Sequence, residues 1–246
     1  MLIDNGKGLV YLSDPHLITL HSFMDGFIDA DKIDYLERDA LNCGVAYGKF
    51  DRPDLIDNLT IVKNKNNIES IGVLRKGIQA LESFILARYY MFNQVYMNPS
   101  ERILRYQYCK EMKTLLPDGK YPNDIKKFLN LDDTKYAKKL KFLQNNKYKL
   151  IFDSEFDIKL KSLIDKNLGR YLICDTPRKP IFRKDSKDAD ITIVDEITGI
   201  KKPCTEVSPI LKGINFACIH KLRYYALEEN ANEIKQELLK LIKEVV

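Results

Sequence analysis

The sequence predicts a mainly α-helical chain that ends in a small α+β module. Apolar residues recur every three or four positions through three long segments, as they do on the buried face of a helix. These segments span residues 29–43, 74–98 and 99–116. From residue 170 onward, short apolar runs stand between Pro, Gly and Asp, a pattern typical of a small antiparallel sheet. We therefore expect a helical domain over residues 1–150 and the α+β module over residues 151–246.

The composition indicates a folded, soluble chain of 246 residues. Apolar residues make up 45% of it, which is enough for a sizeable core. The 40 Lys and Arg only slightly exceed the 35 Asp and Glu, so charge allows a polyphosphate or nucleic-acid partner without requiring one. The 5 cysteines form no Cys-x-x-Cys pair, and no apolar run approaches the roughly 18–20 residues that span a membrane. We therefore expect a cytoplasmic protein with neither a zinc module nor a membrane partner.

The first predicted helix has two different faces. Its apolar stripe consists of Ile33, Leu36 and Ala40. The side chains that face away from this stripe are Asp31, Tyr35, Arg38 and Asp39. Asp29 is expected to cap the first turn, and Gly44 to end the helix in a left-handed conformation. The polar face can be the solvated side of an ordinary amphipathic helix or a ligand-binding surface.

This stretch resembles the last metal-ligand segment of the HD-domain phosphohydrolases, in particular their deoxynucleoside triphosphate triphosphohydrolase branch. That branch includes the SAM-and-HD-domain protein and the bacterial dGTPase-like enzymes. Its members carry Asp-x-Asp-Lys/Arg-x-Asp-Tyr-x-x-Arg-Asp, followed by a small-residue turn and Gly-Val/Ile. The matching residues here are Asp29, Asp31, Lys32, Asp34, Tyr35, Arg38 and Asp39, followed by Gly44 and Val45. The resemblance implies that the helical domain is the C-terminal portion of an HD-like bundle.

A short helix over residues 51–59 and a hairpin over residues 60–73 follow, and the long helix after them carries a second stretch of resemblance. Family members often show Lys-Gly, Glu, Arg, Met and Val-Tyr at the spacing found here. The corresponding residues are Lys76-Gly77, Glu82, Arg88, Met91 and Val95-Tyr96. The chain departs from the SAM-and-HD-domain branch at two positions, because Phe92 and Asn98 stand where that branch has histidines.

The resemblance implies that Asp31 helps to bind a divalent metal ion (Mn, Fe or Mg) and that the complete protein hydrolyses a dNTP to a deoxynucleoside and triphosphate. The substrate-binding residues that it implies are Lys32, Tyr35, Asp39, Arg88 and Tyr96. The residues alone leave alternatives open. Arg88 can form a buried ion pair with Glu82 or a nearby Asp, and Tyr96 can be a core aromatic with a satisfied hydroxyl.

The other metal ligands of the family, a histidine and a His-Asp pair, are missing. The histidines of the sequence are His16, His21 and His220, and none precedes an Asp. His16 and His21 are five residues apart, whereas two histidines that bind one metal ion from the same helix face are four apart. We therefore assign no catalytic residue and expect the chain alone to be inactive. Either the upstream half is encoded separately or lost from the frame, or the chain is a noncatalytic nucleotide-binding or assembly subunit.

The expected partners are a dNTP and either further copies of this chain or a chain that carries the N-terminal HD half. Nucleic acid is a weaker alternative, because lysines and aromatic residues interleave over residues 135–149. Asn98 and Pro99 should begin the helix over residues 99–116. Its basic face, with Arg102, Arg105, Tyr106 and Lys110, can lie beside a phosphate or face solvent, and we favour the solvent-facing interpretation. Further helices are predicted at 123–129, 132–144, 154–166 and 232–245, and strands at 170–175, 181–184, 189–195, 199–206 and 216–225. The C-terminal module is a candidate oligomerisation region.

Overall fold

The computed structural model describes residues 20, 23–63, 69–116, 119–131, 147–180, 191–215 and 218–243. The chain divides into two compact units, each built from two stretches of sequence. Unit 1 consists of Met1–Val95 and Lys179–Ile219, and unit 2 of Tyr96–Arg178 and His220–Val246. The boundary placed near residue 150 stays a prediction about domain organisation, and residue 150 itself lies within a strand of unit 2.

The described residues confirm a mainly α-helical chain with a small α+β module. The helices are α1 (Ala30–Asn42), α2 (Arg52–Asp57), α3 (Ile78–Tyr90), α4 (Pro99–Leu115), α5 (Ile125–Leu129), α6 (Ile158–Leu168), α7 (Cys204–Val207), α8 (Pro209–Asn215) and α9 (Ala231–Lys243). The strands are β1 (Leu59–Lys63), β2 (Glu69–Leu74), β3 (Tyr148–Glu155), β4 (Ile173–Asp175), β5 (Arg178–Pro180), β6 (Thr192–Val194), β7 (Lys201–Pro203) and β8 (Cys218–Leu227). In this part of the chain, no helix is both long enough and apolar enough to cross a membrane.

Helix α1 begins and ends where the sequence predicts. The side chain of Asp29 accepts a hydrogen bond from the backbone N–H of Lys32 at 2.7 Å, which caps the first turn. At the other end, Gly44 has φ +66°, and the N–H of Val45 donates to the carbonyl of Ala40 at 2.9 Å. This geometry is a Schellman motif, which satisfies carbonyls that the helix end leaves without partners.

Gly48 closes the segment that follows α1 by packing directly on the helix. A Cβ atom added at Gly48 would lie 2.2 Å from the backbone oxygen of Leu36 and 2.7 Å from the Cβ of Ala40. Leu36 and Ala40 are fully buried, so the helix turns its predicted apolar stripe toward this contact. No side chain fits between the two backbones at this point.

The long helix predicted over residues 74–98 is present as three consecutive segments. A 3₁₀ turn (Arg75–Gly77) leads into α3, and a π-helix (Met91–Tyr96) follows it. A π-helix is rare, and its wider turn changes the direction in which the following side chains point. Gly77 of the 3₁₀ turn packs against Asn58, since a Cβ atom here would lie 2.4 Å from the Cβ of Asn58.

Unit 1 contains a four-stranded sheet with the order β1-β2-β6-β7. The predicted hairpin is confirmed, with Leu59 of β1 opposite Val73 of β2 in an antiparallel pair. Strand β2 also pairs in parallel with β6, where Val73 lies beside Ile193. The prediction of one strand over residues 199–206 is wrong in its second half, because β7 ends at Pro203 and α7 follows at once.

Unit 2 packs α6 and α9 against the antiparallel sheet β3-β8-β4. Its core consists of Ile151, Ile164, Leu168, Leu222, Tyr224, Ala226, Ala231, Ile234 and Leu238. The sequence predicted a helix from residue 154, but residues 148–155 form β3 and α6 begins only after its cap, Asp157. Tertiary pairing with β8 prevails here over the local helical pattern. The predicted helix at 132–144 and strand at 181–184 lie outside the described residues.

Helix α4 is joined to β8 and β4 by polar contacts within unit 2. Arg102 forms two hydrogen bonds of 2.6 Å with Asp175, so the prediction that Arg102 faces solvent is wrong. The hydroxyl of Tyr225 donates to the carbonyl of Pro99 at 3.1 Å. Arg223, which is almost completely buried, donates a hydrogen bond to the backbone carbonyl of Met97, just before α4. Buried polar groups are retained when they find partners of this kind.

We predict that Gly48→Ala destabilises the protein by about 1–3 kcal/mol, because the added methyl group overlaps the backbone of α1. The free energy of unfolding in urea measures this loss. Gly213→Ala is the matched control, because Gly213 lies on helix α8 with nothing within 4 Å of an added Cβ atom. Equal stability of the two variants would contradict the close packing of Gly48 on α1.

A second prediction concerns alkaline pH. Burial, with a smaller contribution from the Asp175 carboxylate, raises the pKa of Tyr225 from 10.0 to about 12. The folded protein therefore holds this proton more tightly than the unfolded chain, and the associated stability is lost as pH rises through the pKa of the folded state. We expect Tyr225→Phe to reduce the decline in unfolding free energy above pH 10 by about 1–3 kcal/mol. Tyr171→Phe, which changes an exposed ring, should leave the decline unaltered.

Candidate functional site

The polar face of α1 carries three of the predicted site residues in consecutive turns. Asp31 is exposed, while Tyr35 and Asp39 are half-buried. Their spacing of four residues places them above one another on one side of the helix. The helix start fixed by Asp29 determines where these side chains point.

Tyr35 lies at the centre of this group electrostatically. Burial raises the pKa of its phenol, and the positive charge of Arg88 on α3 lowers it. The carboxylates of Asp29, Asp31 and Asp39 raise the pKa of Tyr35 further. Of the six predicted site residues, Asp31, Asp39 and Arg88 therefore act electrostatically on a fourth, Tyr35.

Arg88 is buried, with 6% of its surface exposed, and it lies between aromatic rings. Its guanidinium carbon is 5.2 Å from the ring centroid of Phe27 and 5.9 Å from that of Phe92. Both distances are within the range of a cation–π interaction. Glu82, the ion-pair partner considered from sequence, accepts a hydrogen bond from the hydroxyl of Ser208. The sequence identified Arg88 but gave no sign of the two rings that hold it.

Lys32 has a structural contact that differs from its expected role in binding the substrate. Its ammonium group contacts the carboxylate of Asp29 and donates a hydrogen bond to the carbonyl of Gly26 at 3.0 Å. Asp29 is 2% exposed, so this carboxylate needs the partners that Lys32 supplies. Lys32 and Asp29 together hold the first turn of α1.

The remaining polar residues of the motif form a surface ion pair. Arg38 lies 2.6 Å from Asp34, and both side chains are exposed. Arg38 also lies 3.9 Å from Asp39. Exposed pairs of this kind contribute little to stability. Tyr96, the last predicted site residue, is half-buried at the end of the π-helix, where unit 2 begins.

The residues that the structure describes do not by themselves make a metal site. No group of three or more His, Cys, Asp or Glu lies together among them. A divalent ion needs several such ligands, and Asp31 can supply only one of them. His220 stacks on Phe156 in unit 2, with ring centroids 3.9 Å apart. His16 and His21 lie outside the described residues, as does most of the lysine-rich segment considered for nucleic acid.

A groove of about 670 Å³ lies elsewhere on unit 1. Its polar lining includes Arg75, Lys76, Gln79, Glu82, Asp195 and Glu196. Arg75 bridges its two sides through a contact of 3.2 Å with Asp195. None of Asp31, Tyr35, Asp39 and Arg88 lines this groove, so the groove and the residues around Tyr35 are two different sites on unit 1.

Comparison with known proteins gives one family match. Residues 50–153 match the HD associated region. The match includes α3 with Arg88 and begins after α1. An uncharacterized protein of Methanocaldococcus jannaschii is 30% identical over 254 aligned positions, which cover 90% of this chain and 55% of that protein. An uncharacterized protein of Bacillus subtilis is 38% identical over 81 positions, which cover 33% of this chain and 18% of that protein.

Two solved structures are similar in fold. A hypothetical protein from Aquifex aeolicus matches 92% of this chain and 61% of its own, with a TM-score of 0.75 and 26% identity. A phosphohydrolase from Bacteroides thetaiotaomicron matches 85% of this chain and 64% of its own, with a TM-score of 0.61 and 22% identity. These findings show similarity to the HD associated region over residues 50–153 and a fold shared with the two solved structures. The chain spans about half the length of the Methanocaldococcus protein and about three-fifths of the Aquifex chain.

The buried pair of Asp29 and Lys32 gives a testable prediction about this site. We expect Asp29→Ala to destabilise the protein by about 3–5 kcal/mol, because it leaves the Lys32 ammonium without its carboxylate and removes the α1 cap. Asp34→Ala, which removes an exposed ion pair from the same helix, should cost less than about 1 kcal/mol. Urea unfolding of the two variants checks this difference, and similar losses would contradict it.

Proposed function

We propose that this chain is part of a phosphohydrolase that acts on deoxynucleoside triphosphates, and that unit 1 contributes the nucleotide-contacting groups. The observation that carries this proposal is the cluster around Tyr35, where α1 supplies carboxylates and α3 supplies Arg88. A buried cation, a phenol and carboxylates are the groups that a nucleotide's phosphates, sugar ring and hydroxyl require. The HD associated region and the fold shared with a phosphohydrolase support the same class of protein.

Each residue has a distinct role in this proposal. Arg88 contacts the phosphates, because a guanidinium group binds two phosphate oxygens at once. Tyr35 packs against the sugar, and Asp39 accepts a hydrogen bond from its 3′-hydroxyl. Lys32 keeps α1 in place through Asp29. The role of Tyr96 on the sugar or base side of the nucleotide remains a prediction.

In this proposal Asp31 is one ligand of a metal ion, and the other ligands come from outside the described residues. A divalent metal in such a site supplies a Lewis acid and a bound water. Because the described donor set does not fit a metal by itself, we attribute only substrate binding to these residues. We therefore expect no triphosphate release by the 246-residue chain with Mn²⁺ or Mg²⁺.

The donor set also favours a second candidate function. A chain with one metal ligand among its described residues can bind a nucleotide without hydrolysing it and act as a sensing or assembly subunit. The two functions share the cluster around Tyr35 and differ in the ligands supplied by other segments. Asp31-dependent release of triphosphate by the purified chain would contradict both the second function and our view of the missing ligands.

Equilibrium binding of dNTPs and of inorganic tripolyphosphate to the purified chain tests the proposal. Arg88→Gln should weaken binding of both ligands about 10- to 100-fold, which corresponds to the loss of about 1.5–3 kcal/mol for a charge-assisted contact. Asp39→Asn should weaken binding of the dNTP and leave that of tripolyphosphate unchanged, because tripolyphosphate has no sugar hydroxyl.

Two controls accompany these variants. Arg105→Gln removes an exposed cation that pairs with Glu101, and it should bind both ligands as the wild type does. Arg88→Lys keeps a charge at the buried position and separates loss of binding from loss of folding. Failure of the wild-type chain to bind any dNTP would overturn the proposed function.

A further inference from the structure

The two faces of strand β8 differ in what they carry, because successive side chains of a strand point to opposite sides of the sheet. Leu222, Tyr224 and Ala226 form one face and belong to the core of unit 2. Arg223 and Tyr225 lie on the opposite face, and both are almost completely buried. The sheet of unit 2 therefore has a second buried face, which carries a charge and a phenol.

Arg223 and Tyr225 both bind backbone carbonyls of the segment that leads into α4. Arg223 donates a hydrogen bond to the carbonyl of Met97, and the hydroxyl of Tyr225 donates to that of Pro99 at 3.1 Å. The side chain of Asn98, which lies between these two residues in the chain, caps α4. The start of α4 is therefore fixed both by its own cap and by β8.

The strand pairing of unit 2 directs the side chain of Arg223. Its Nε donates a hydrogen bond to the carboxylate of Asp153 at 3.1 Å, and Asp153 lies directly opposite Arg223 in the register of β3 and β8. Arg223 is 3% exposed, and a cation so nearly excluded from water is stable only with hydrogen-bonded partners of this kind. The guanidinium group thus joins β3, β8 and the carbonyl of Met97 in one buried contact.

Tyr96, the last residue of the π-helix, directly precedes the residue whose carbonyl Arg223 holds. Peptide units are planar, so only a few backbone torsions separate the fixed carbonyl of Met97 from the side chain of Tyr96. Arg223, Met97 and Tyr96 all belong to unit 2. The contact made by Arg223 therefore restricts the direction of the Tyr96 side chain.

We propose that Arg223 and Tyr225 are positioning residues for Tyr96, and that they act through it on the binding of the sugar or base of a nucleotide. The inference rests on the proposed function, which assigns Tyr96 to that side of the ligand. A side chain whose direction is fixed before binding loses less conformational entropy when the ligand binds. Loss of the contacts from β8 should thus weaken binding of the nucleoside part and leave the phosphate contacts unchanged.

Titration calorimetry of the full 246-residue chain with each of the four dNTPs and with inorganic tripolyphosphate tests the inference. Tyr225→Phe removes only the hydroxyl that holds Pro99, and it should weaken dNTP binding about 3- to 10-fold, as expected for the loss of one hydrogen bond. Tripolyphosphate has neither sugar nor base, so its binding should not change.

Tyr224→Phe is the matched control for this variant. Tyr224 is the neighbouring residue on β8 and is equally buried, but its hydroxyl donates to Asp165 of α6 at 2.7 Å. The control therefore loses a buried hydrogen bond of the same kind without a change at the segment before α4. It should bind dNTPs and tripolyphosphate as the wild type does. An equal loss of dNTP binding in both variants would overturn the inference.

A second variant changes the charged contact. Arg223→Lys keeps a positive charge beside Asp153 but lacks the planar group that reaches two acceptors at once. It should weaken dNTP binding about tenfold and leave tripolyphosphate binding unchanged. Lys221→Gln removes the next contact between β8 and β3, with Glu155, and should have no effect on either ligand. Tyr225→Phe keeps the inference testable if Arg223→Lys fails to fold.

A double-mutant cycle with Tyr96→Leu distinguishes positioning from a purely structural role. If Arg223 acts through Tyr96, Arg223→Lys weakens dNTP binding in the wild-type background and has little further effect in the Tyr96→Leu background. A purely structural role would give the same loss in both backgrounds. Additive losses of dNTP binding would therefore contradict the inference.

The outcomes separate this inference from the proposed function. If Arg88→Gln weakens dNTP binding and neither Tyr225→Phe nor Arg223→Lys does, the inference falls while the proposed function stands. The inference also falls if the two variants weaken tripolyphosphate binding as much as dNTP binding. If dNTP binding depends on Tyr225 and Tyr96 but not on Arg88, the phosphate contact assigned to Arg88 falls and the inference stands. A wild-type chain that binds no dNTP overturns both.

Discussion

The contact between the buried carboxylate of Asp29 and Lys32 is the interaction on which the candidate site depends. The carboxylate accepts a hydrogen bond from the backbone N–H of Lys32 and contacts the ammonium group of the same residue. A carboxylate so nearly excluded from water is stable only with such partners. Because these contacts fix the residue at which α1 begins, they also fix the face of the helix that carries Asp31, Tyr35 and Asp39.

The site is further constrained from two directions that are independent of this cap. Gly48 packs so closely on the backbone of α1 at Leu36 and Ala40 that no Cβ atom fits between them. Arg88 reaches the same cluster from α3, where the rings of Phe27 and Phe92 hold its guanidinium group. The groups that a ligand would meet are thus ordered before it binds. Preorganised groups lose less conformational entropy on binding, so they bind a ligand of matching shape more tightly than flexible groups do.

Local rules predicted the parts of the fold that depend on neighbouring residues. The cap at Asp29, the left-handed Gly44 and the α4 cap at Asn98 follow from side chains within a few positions of each helix end. Contacts between distant segments were not predictable in this way. The parallel pairing of β2 with β6 and the approach of Lys179 to Phe92 each join residues about 90 or more positions apart. A local sequence pattern does not specify which distant segment a strand or side chain will contact.

Burial and contacts also divide the polar motif at the start of α1 into two kinds of residue. Asp29 and Lys32 stabilise the helix, so they would be retained by an enzyme and by a noncatalytic subunit alike. Their presence therefore cannot discriminate between the two functions. Asp31 is more informative, because an exposed carboxylate in the first turn contributes only the modest stabilisation that the helix dipole provides. A polar motif can thus preserve a fold through half of its residues and a chemistry through the other half, and only burial and contacts tell the halves apart.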